Sequence, residues 1–271
     1  MIGAIAYALR ALNDDSLPQY HGQQLHGICF RILEEFSAPL ADHVHDKLSV
    51  KPFTSSALEF PEHCVPKNNR RYVSADDVLY WRVTALTDDV LRAFLAVEPG
   101  KVLSLGKLQL RVVKRIADSE LRDDVGLTEP EDMAAEIFSL PPPSSLTMNF
   151  QSVTTFRSGA NDFPWPLPEF VFGSIADKWA AMNMPGSIDD SLVRKEAKAV
   201  FPQDWNGKSR KVFLSPKRGA IGFTGRFTYR FDALSDAAKR MMLLLATYAE
   251  FSGVGRWTAH GLGQVRISAL R

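Results

Sequence analysis

The order in which apolar periodicities follow one another constrains the fold of this 271-residue chain more than any other feature. Residues 1–10 alternate as a strand, and Asn13-Asp-Asp-Ser-Leu-Pro18 reads as a turn. Across residues 21–36, Leu25, Ile28, Cys29, Ile32 and Leu33 recur at three- and four-residue spacing, which predicts an amphipathic helix. Lys51-Pro-Phe-Thr-Ser-Ser56 opens an extended segment, and residues 78–86 are rich in aromatic and β-branched side chains, a strand pattern. A helix is expected over 88–97, and one or two strands around Gly106 over 101–116. The acidic stretch 118–136 and Leu140-Pro-Pro-Pro-Ser-Ser145 then read as a junction.

Beyond the junction the same order returns. A strand is expected over 145–157, a helix over 168–184, and a strand pair around Lys217-Arg-Gly219 over 211–231. A long apolar-faced helix (234–250) and a last strand (263–270) complete the chain. Each half spells β-α-β-β-α-β, so the expected class is α+β with two tandem ferredoxin-like, RNA-recognition-like domains at 1–125 and 140–271. The length suits two domains of ordinary size.

Composition narrows the function. With 45% hydrophobic and 23% charged residues the chain can build real cores, and no apolar run approaches the ~20 residues of a membrane helix. The start, Met1-Ile-Gly-Ala-Ile-Ala-Tyr-Ala-Leu-Arg10, lacks a basic leader and suits a first strand. Cys29 and Cys64 cannot make a disulfide framework or a four-cysteine zinc site, so a cytoplasmic setting is expected. Net charge is only +1, but residues 194–230 hold ten Lys/Arg against two acids. A basic zone of that density suits a polyanion groove, with a merely solvated surface as the alternative.

The closing segment adds a second anion signal. Gly253, Gly255, Gly261 and Gly263 surround Arg256 ahead of the last strand. Glycines let backbone amides approach an anion, and arginine offers a fork of donors to phosphate. The segment lacks the Gly-x-x-x-x-Gly-Lys-Ser/Thr run of a nucleotide triphosphatase. It also lies between a helix and the last strand, where a dinucleotide loop would follow the first strand. A glycine-rich helix cap with a solvated arginine is the plain alternative.

Three segments in order resemble the CRISPR-associated endoribonucleases of the Cas-six (Cas6) family, RAMP superfamily, over nearly the whole chain. They are His45-Asp46 with Lys51-Pro-Phe-Thr-Ser-Ser56; Ser152-Val-Thr-Thr-Phe-Arg157 with Pro166-Leu-Pro-Glu-Phe-Val-Phe172; and Gly253-Val-Gly-Arg-Trp-Thr-Ala-His-Gly-Leu-Gly-Gln-Val265. The resemblance implies metal-independent cleavage of CRISPR repeat RNA by attack of its own 2′-hydroxyl, leaving a 2′,3′-cyclic phosphate and a 5′-hydroxyl. Such chemistry needs a base, an acid and positive charge on the phosphorane. His45 matches the family histidine and Lys51 the family lysine, whose expected role is to stabilise developing charge. The family tyrosine falls at about Phe30, which has no hydroxyl; His26, one helical turn earlier, is the expected substitute, with a surface or packing histidine as the alternative.

RNA is then expected across a cleft between the modules, held by Gly253, Gly255, Arg256, Gly261, Gly263 and Gln264 and by the basic hairpin residues Lys208, Arg210, Lys211, Lys217 and Arg218. His260 is expected to touch RNA from the glycine loop. His43 shares a face with His45 if the segment is extended and diverges if it is helical, and no further ligand with zinc spacing stands nearby. His21 and His63 read as loop or surface residues, and the aromatics of 78–81 as core. No cofactor or metal is expected. The partners expected are repeat RNA and, as a possibility, a CRISPR effector complex, with no membrane and a monomer or homodimer. Two rivals are a non-catalytic RAMP subunit that only binds guide RNA, favoured by Phe30, and a nucleotide-binding enzyme using the glycine loop.

Overall fold

The computed structural model of the protein describes residues 1–186, 188–215 and 218–270. It divides into two compact units: Met1–Leu127 with Ala259–Gly261, and Thr128–Thr258 with the chain from Leu262 onward. Lys217 lies outside the described residues.

In the first unit the central strand is Ile2–Ala11, and its burial is nearly continuous on both faces. Side chains alternate across a strand. Ile5, Tyr7, Leu9 and Ala11 therefore join one large core with the helices, while Ala6 packs with Ile116 and Val125 on the other side. The sheet runs Phe53–Ser55, Val78–Ala85, Ile2–Ala11, Leu108–Ile116, Val102–Leu105. That order places the second and third strands of a βαββαβ motif on one side of the first and the fourth on the other, the ferredoxin-like topology. Helices Gly22–Phe36 and Asp88–Leu95 supply the buried stripe: Leu25, Ile28, Cys29, Ile32 and Leu33 from one, Val90, Leu91 and Phe94 from the other. Trp81 is fully buried beside Tyr7, whose hydroxyl donates to the Phe94 carbonyl at 2.7 Å.

The second unit repeats the topology. Its sheet runs Phe201–Ser215, Arg218–Arg230, Ser145–Thr154, Val265–Leu270, and the paired helices are Pro168–Ala181 and Asp236–Ser252. Ser235 caps the latter through its hydroxyl, which accepts the Ala238 amide. Gly253, at φ 64°, ends it. The core gathers Met148, Phe150, Phe172, Trp179, Tyr229, Phe231 and Tyr248.

Several details depart from the sequence reading. Asp15–Pro18, expected as a turn, pairs with Arg70–Val73 as a small antiparallel ladder. The acidic stretch is not an unstructured junction but contains the helix Pro130–Ser139, opened by proline at its first turn. Arg194 and Lys195 sit on an unforeseen helix, Asp190–Ala197, where Arg194 grips the Asp177 carboxylate at 2.7 Å. The basic hairpin starts ten residues earlier than expected, at Phe201. Tyr80 is exposed under the Arg122 guanidinium, so only Trp81 of the 78–81 aromatics is core. No helix among the described residues is long and apolar enough to cross a membrane.

His21 is the sharpest departure: expected at the surface, it is only 3% exposed. Its Nδ1–H donates to the Pro18 carbonyl at 3.1 Å, and its Nε2 accepts the Leu58 amide at 3.0 Å. Both ring nitrogens are thus engaged as a neutral imidazole. Burial pushes its pKa down to about 4, with the Pro18 bond opposing and Arg71 assisting. The unfolded chain takes up this proton as pH falls through ~6.5, whereas the folded chain resists until about 4. Stability is therefore full above pH 6.5 and is lost as pH falls toward 4, by about 3 kcal/mol from this group. Urea denaturation at pH 7.5 and 4.5 should show wild type losing about 2.5 kcal/mol more stability than His21→Gln; equal losses would refute the assignment.

Candidate active site

The first helix, Gly22–Phe36, leads into a short helix, Ala38–Asp42, capped by the Ser37 hydroxyl, and then into a π-helical turn, His43–Lys47. Such turns widen a helix locally and often mark functional sites. The segment is helical, so His43 and His45 diverge. Lys51 closes the turn: its Nζ donates to the carbonyls of Val44 (2.8 Å), His45 (2.9 Å) and Leu48 (2.8 Å). An ammonium has three N–H donors, and these three carbonyls match them all. Burial lowers the Lys51 pKa, opposed by the Asp46 carboxylate.

His45 is presented to solvent, with 71% of its side chain exposed. Its Nδ1–H donates to Asp46 Oδ1 at 2.7 Å, which holds the ring and leaves Nε2 outward. The ring meets Phe30 edge-on at 5.4 Å, and Phe30 meets His26 at 4.9 Å. His26 and His45 are therefore gathered around one phenyl ring, with the Lys51 ammonium 6.0 Å from its centre.

His26 is half-buried, against Phe53 at 5.6 Å and stacked on His260 at 3.9 Å and 18°. Its Nδ1–H donates to the Ala259 carbonyl at 3.1 Å, so Nε2 carries the lone pair. Burial lowers its pKa, the Ala259 bond opposes this, and the charges of Lys51 and His45 add to it. At neutral pH it is a neutral imidazole with an acceptor nitrogen. Ala259–Gly261 is held to the first helix in other ways too. Tyr20 donates its hydroxyl to the His260 carbonyl at 2.6 Å, and a Cβ on Gly22 would overlap that carbonyl oxygen. Here a glycine is required by close approach.

The rest of the glycine-rich segment differs from an open anion cradle. The amides of Gly253, Gly255, Gly263 and Gln264 donate to the Ala249 carbonyl, the Ser174 hydroxyl, the Val153 carbonyl and the Ser152 hydroxyl. Gly255 and Gly263 have φ of 73° and 70°, and a Cβ on either would strike a backbone oxygen, of Thr155 or Val254. These glycines fold the segment. Arg256 pairs with Asp162 at 3.3 Å and lies over the Trp257 ring at 4.2 Å. Gly261, at φ 91°, lies beside the backbone of Ser55 and Ala57.

On the Phe201–Ser215 strand, Lys208 and Arg210 project from one face and Lys211 from the other, all exposed. Arg218 opens the return strand. Trp205, 66% exposed, stacks parallel to Phe227 at 6.3 Å on the wall of a 430 Å³ groove that also includes Trp165, Lys208 and Tyr229. Sequence reasoning missed Trp205, although an aromatic three residues before a lysine in a basic strand was the available signal. It also missed Tyr20 and the Ala259 carbonyl, for which no sequence signal exists.

Known proteins resemble this chain in both units. The family model described as CRISPR-associated endoribonuclease Cas6 matches residues 148–265, and that of the CRISPR Cas6 N-terminal domain matches residues 12–124. The CRISPR-associated endoribonuclease Cas6 of Mycobacterium tuberculosis is 23% identical over 253 residues, covering 92% of this chain and 72% of that protein. The one from Streptococcus thermophilus is 22% identical over 241 residues, covering 87% and 88%. Among solved structures, a Thermus thermophilus Cas6 in its product complex superposes with a TM-score of 0.79 at 26% identity, over 99% of this chain and 100% of that one. The two matched regions fall in both units and include the turn of His45 as well as the whole glycine-rich segment Gly253–Val265, and the chain belongs to the Cas6 family of CRISPR-associated endoribonucleases.

Proposed function

We propose that this endoribonuclease cleaves CRISPR repeat transcripts at the first unit, using His26 and His45, and holds the RNA largely through the second. The observation that carries this reading is the shared ring cluster: His26 and His45 both contact Phe30, at 4.9 and 5.4 Å. His26, kept neutral by burial, takes the proton from the attacking 2′-hydroxyl at Nε2. The 2′-oxygen bonds to phosphorus and the bond to the 5′-oxygen breaks. His45 acts as acid in its imidazolium form, with Nδ1–H on the Asp46 carboxylate, and delivers its Nε2 proton to that leaving oxygen, ending as the neutral Nδ1–H imidazole. Phe30 carries no hydroxyl, so the second histidine does the work that the family resemblance assigns to a tyrosine. Lys51 acts on this chemistry through the turn that carries His45.

Labelled repeat RNA incubated with the protein in EDTA should yield a discrete product ending in a 2′,3′-cyclic phosphate. Bound but intact RNA would instead support a binding-only subunit, the reading that Phe30 favours.

For binding, the exposed Lys208, Arg210 and Lys211 are available to phosphates, Trp205 offers a stacking face for a base, Arg256 adds a guanidinium in the second unit, and His260 stacks on His26 in the first. Affinity should fall steeply with salt. Replacing Lys208, Arg210 and Lys211 together by alanine should lower the slope of log affinity against log salt by about 0.7–0.9 per lost phosphate contact, roughly 2–3 in all. An unchanged slope would move the RNA elsewhere. Association with an effector complex, and assembly as monomer or homodimer, belong to the same proposal and are read by sizing the protein with its product.

A further inference from the structure

Outside the catalytic cluster, one set of side chains converges with no part in the proposed cleavage. His63, Cys64 and Asp77 bring a ring nitrogen, a thiol sulfur and a carboxylate oxygen within 4.8 Å of one another. His63 Nε2 lies 2.9 Å from Asp77 Oδ1, and Cys64 Sγ lies 3.5 Å from Asp77 Oδ2. A tetrahedral zinc, with Zn–S near ~2.3 Å and Zn–N or Zn–O near ~2.0–2.2 Å, sets its ligand atoms roughly 3.3–3.7 Å apart. Asp77 meets His63 through Oδ1 and Cys64 through Oδ2, each within about half an ångström of that spacing, and small rotations of the carboxylate and of the exposed His63 imidazole bring one oxygen, the nitrogen and the sulfur to it together.

The surroundings hold the donors in place. Asp77 Oδ2 accepts the Ser74 amide at 2.8 Å, a bond that orients a ligating carboxylate from behind. Cys64 is 2% exposed, and its carbonyl accepts from Arg71 at 2.7 Å. Arg71 is the one cation seen bonded to this loop among the described residues, and its charge opposes a metal. A thiolate and a carboxylate together bring two negative charges, which balance a divalent ion. Thiolate with imidazole selects zinc over magnesium or calcium.

We propose that His63, Cys64 and Asp77 bind one zinc ion, which ties the loop around Cys64 to the start of the strand Val78–Ala85. Three protein ligands leave the fourth position to water. The ion lies apart from the cleavage chemistry: it shares no residue with His26, Phe30, His45 or Lys51. Two cysteines at no zinc-finger spacing gave no hint of it, since Asp77 reaches the site only through the fold.

Cobalt(II) titrated into chelator-treated, reduced, full-length protein tests this. The expected result is a 1:1 endpoint with a near-ultraviolet thiolate-to-cobalt band and visible bands of a four-coordinate ion, both displaced by zinc. Cys64→Ser should remove the near-ultraviolet band. His63→Ala, at a side chain 65% exposed and so without cost to the fold, should weaken zinc binding at least ~10-fold. Absence of the near-ultraviolet band in the wild type would overturn the proposal, as would unchanged zinc affinity in His63→Ala. Neither readout involves RNA, so the outcome is separate from that of the cleavage assay.

Discussion

Replacing His45 by alanine is expected to lower cleavage of repeat RNA by roughly 10²–10⁴-fold while leaving RNA affinity within about twofold. The size follows from losing one positioned proton-transfer group. The selectivity follows from the local structure. His45 stands on a turn whose backbone is closed by Lys51, its ring is held by Asp46, and its exposed imidazole meets Phe30 edge-on. Truncation removes Nε2 and little else. Single-turnover rates with saturating protein, set beside binding measured with an uncleavable repeat carrying a 2′-deoxy substitution, separate the two effects. A parallel loss of rate and affinity would make His45 a binding residue and remove it from the chemistry.

Lys51→Met should reduce the single-turnover rate by roughly 10²-fold, again with little change in affinity. Its ammonium donates to the carbonyls of Val44, His45 and Leu48 and so holds the turn in shape. Without it, His45 shifts, and a displacement of about 1 Å costs on the order of 10²-fold in a reaction that depends on alignment. Lys51→Arg decides between this positioning role and direct contact with the phosphorane. A planar guanidinium cannot meet three converging carbonyls, so positioning predicts that arginine fails as methionine does. Direct charge stabilisation predicts that arginine restores most of the rate, and that methionine weakens RNA binding with a shallower salt dependence.

The two predictions bear on why parts of the molecule were legible in advance. The doubled order of strands and helices could be read because burial on one face imposes a period of two on strands and 3.6 on helices. The helix stripe Leu25, Ile28, Cys29, Ile32 and Leu33 is buried as the spacing predicts. The junction was misread because acidic residues mask a short amphipathic helix, Pro130–Ser139, that buries only Pro130, Met133 and Ile137. The strand Phe201–Ser215 begins earlier than its pattern suggests. It is an edge strand in the sheet, so Phe201 and Trp205 stay exposed and the apolar alternation is lost.

The site shows the same division. His26 and Phe30 lie four residues apart on one helix, so their contact follows from helical geometry alone. His45, Lys51 and the family they suggest were accessible from local motifs. The sequence could not show that Lys51 donates to three carbonyls of the neighbouring turn, that His21 is a buried neutral imidazole, or that the glycine amides bond within the chain. Each of these depends on which backbone oxygens or amides lie near a side chain. His26 meets the carbonyl of Ala259 across 233 positions of chain. Local pattern thus determines which faces are buried and hence the two βαββαβ units. The neutral state and aim of His26 depend on desolvation and on a hydrogen bond from a distant segment, and only the packed tertiary structure supplies those.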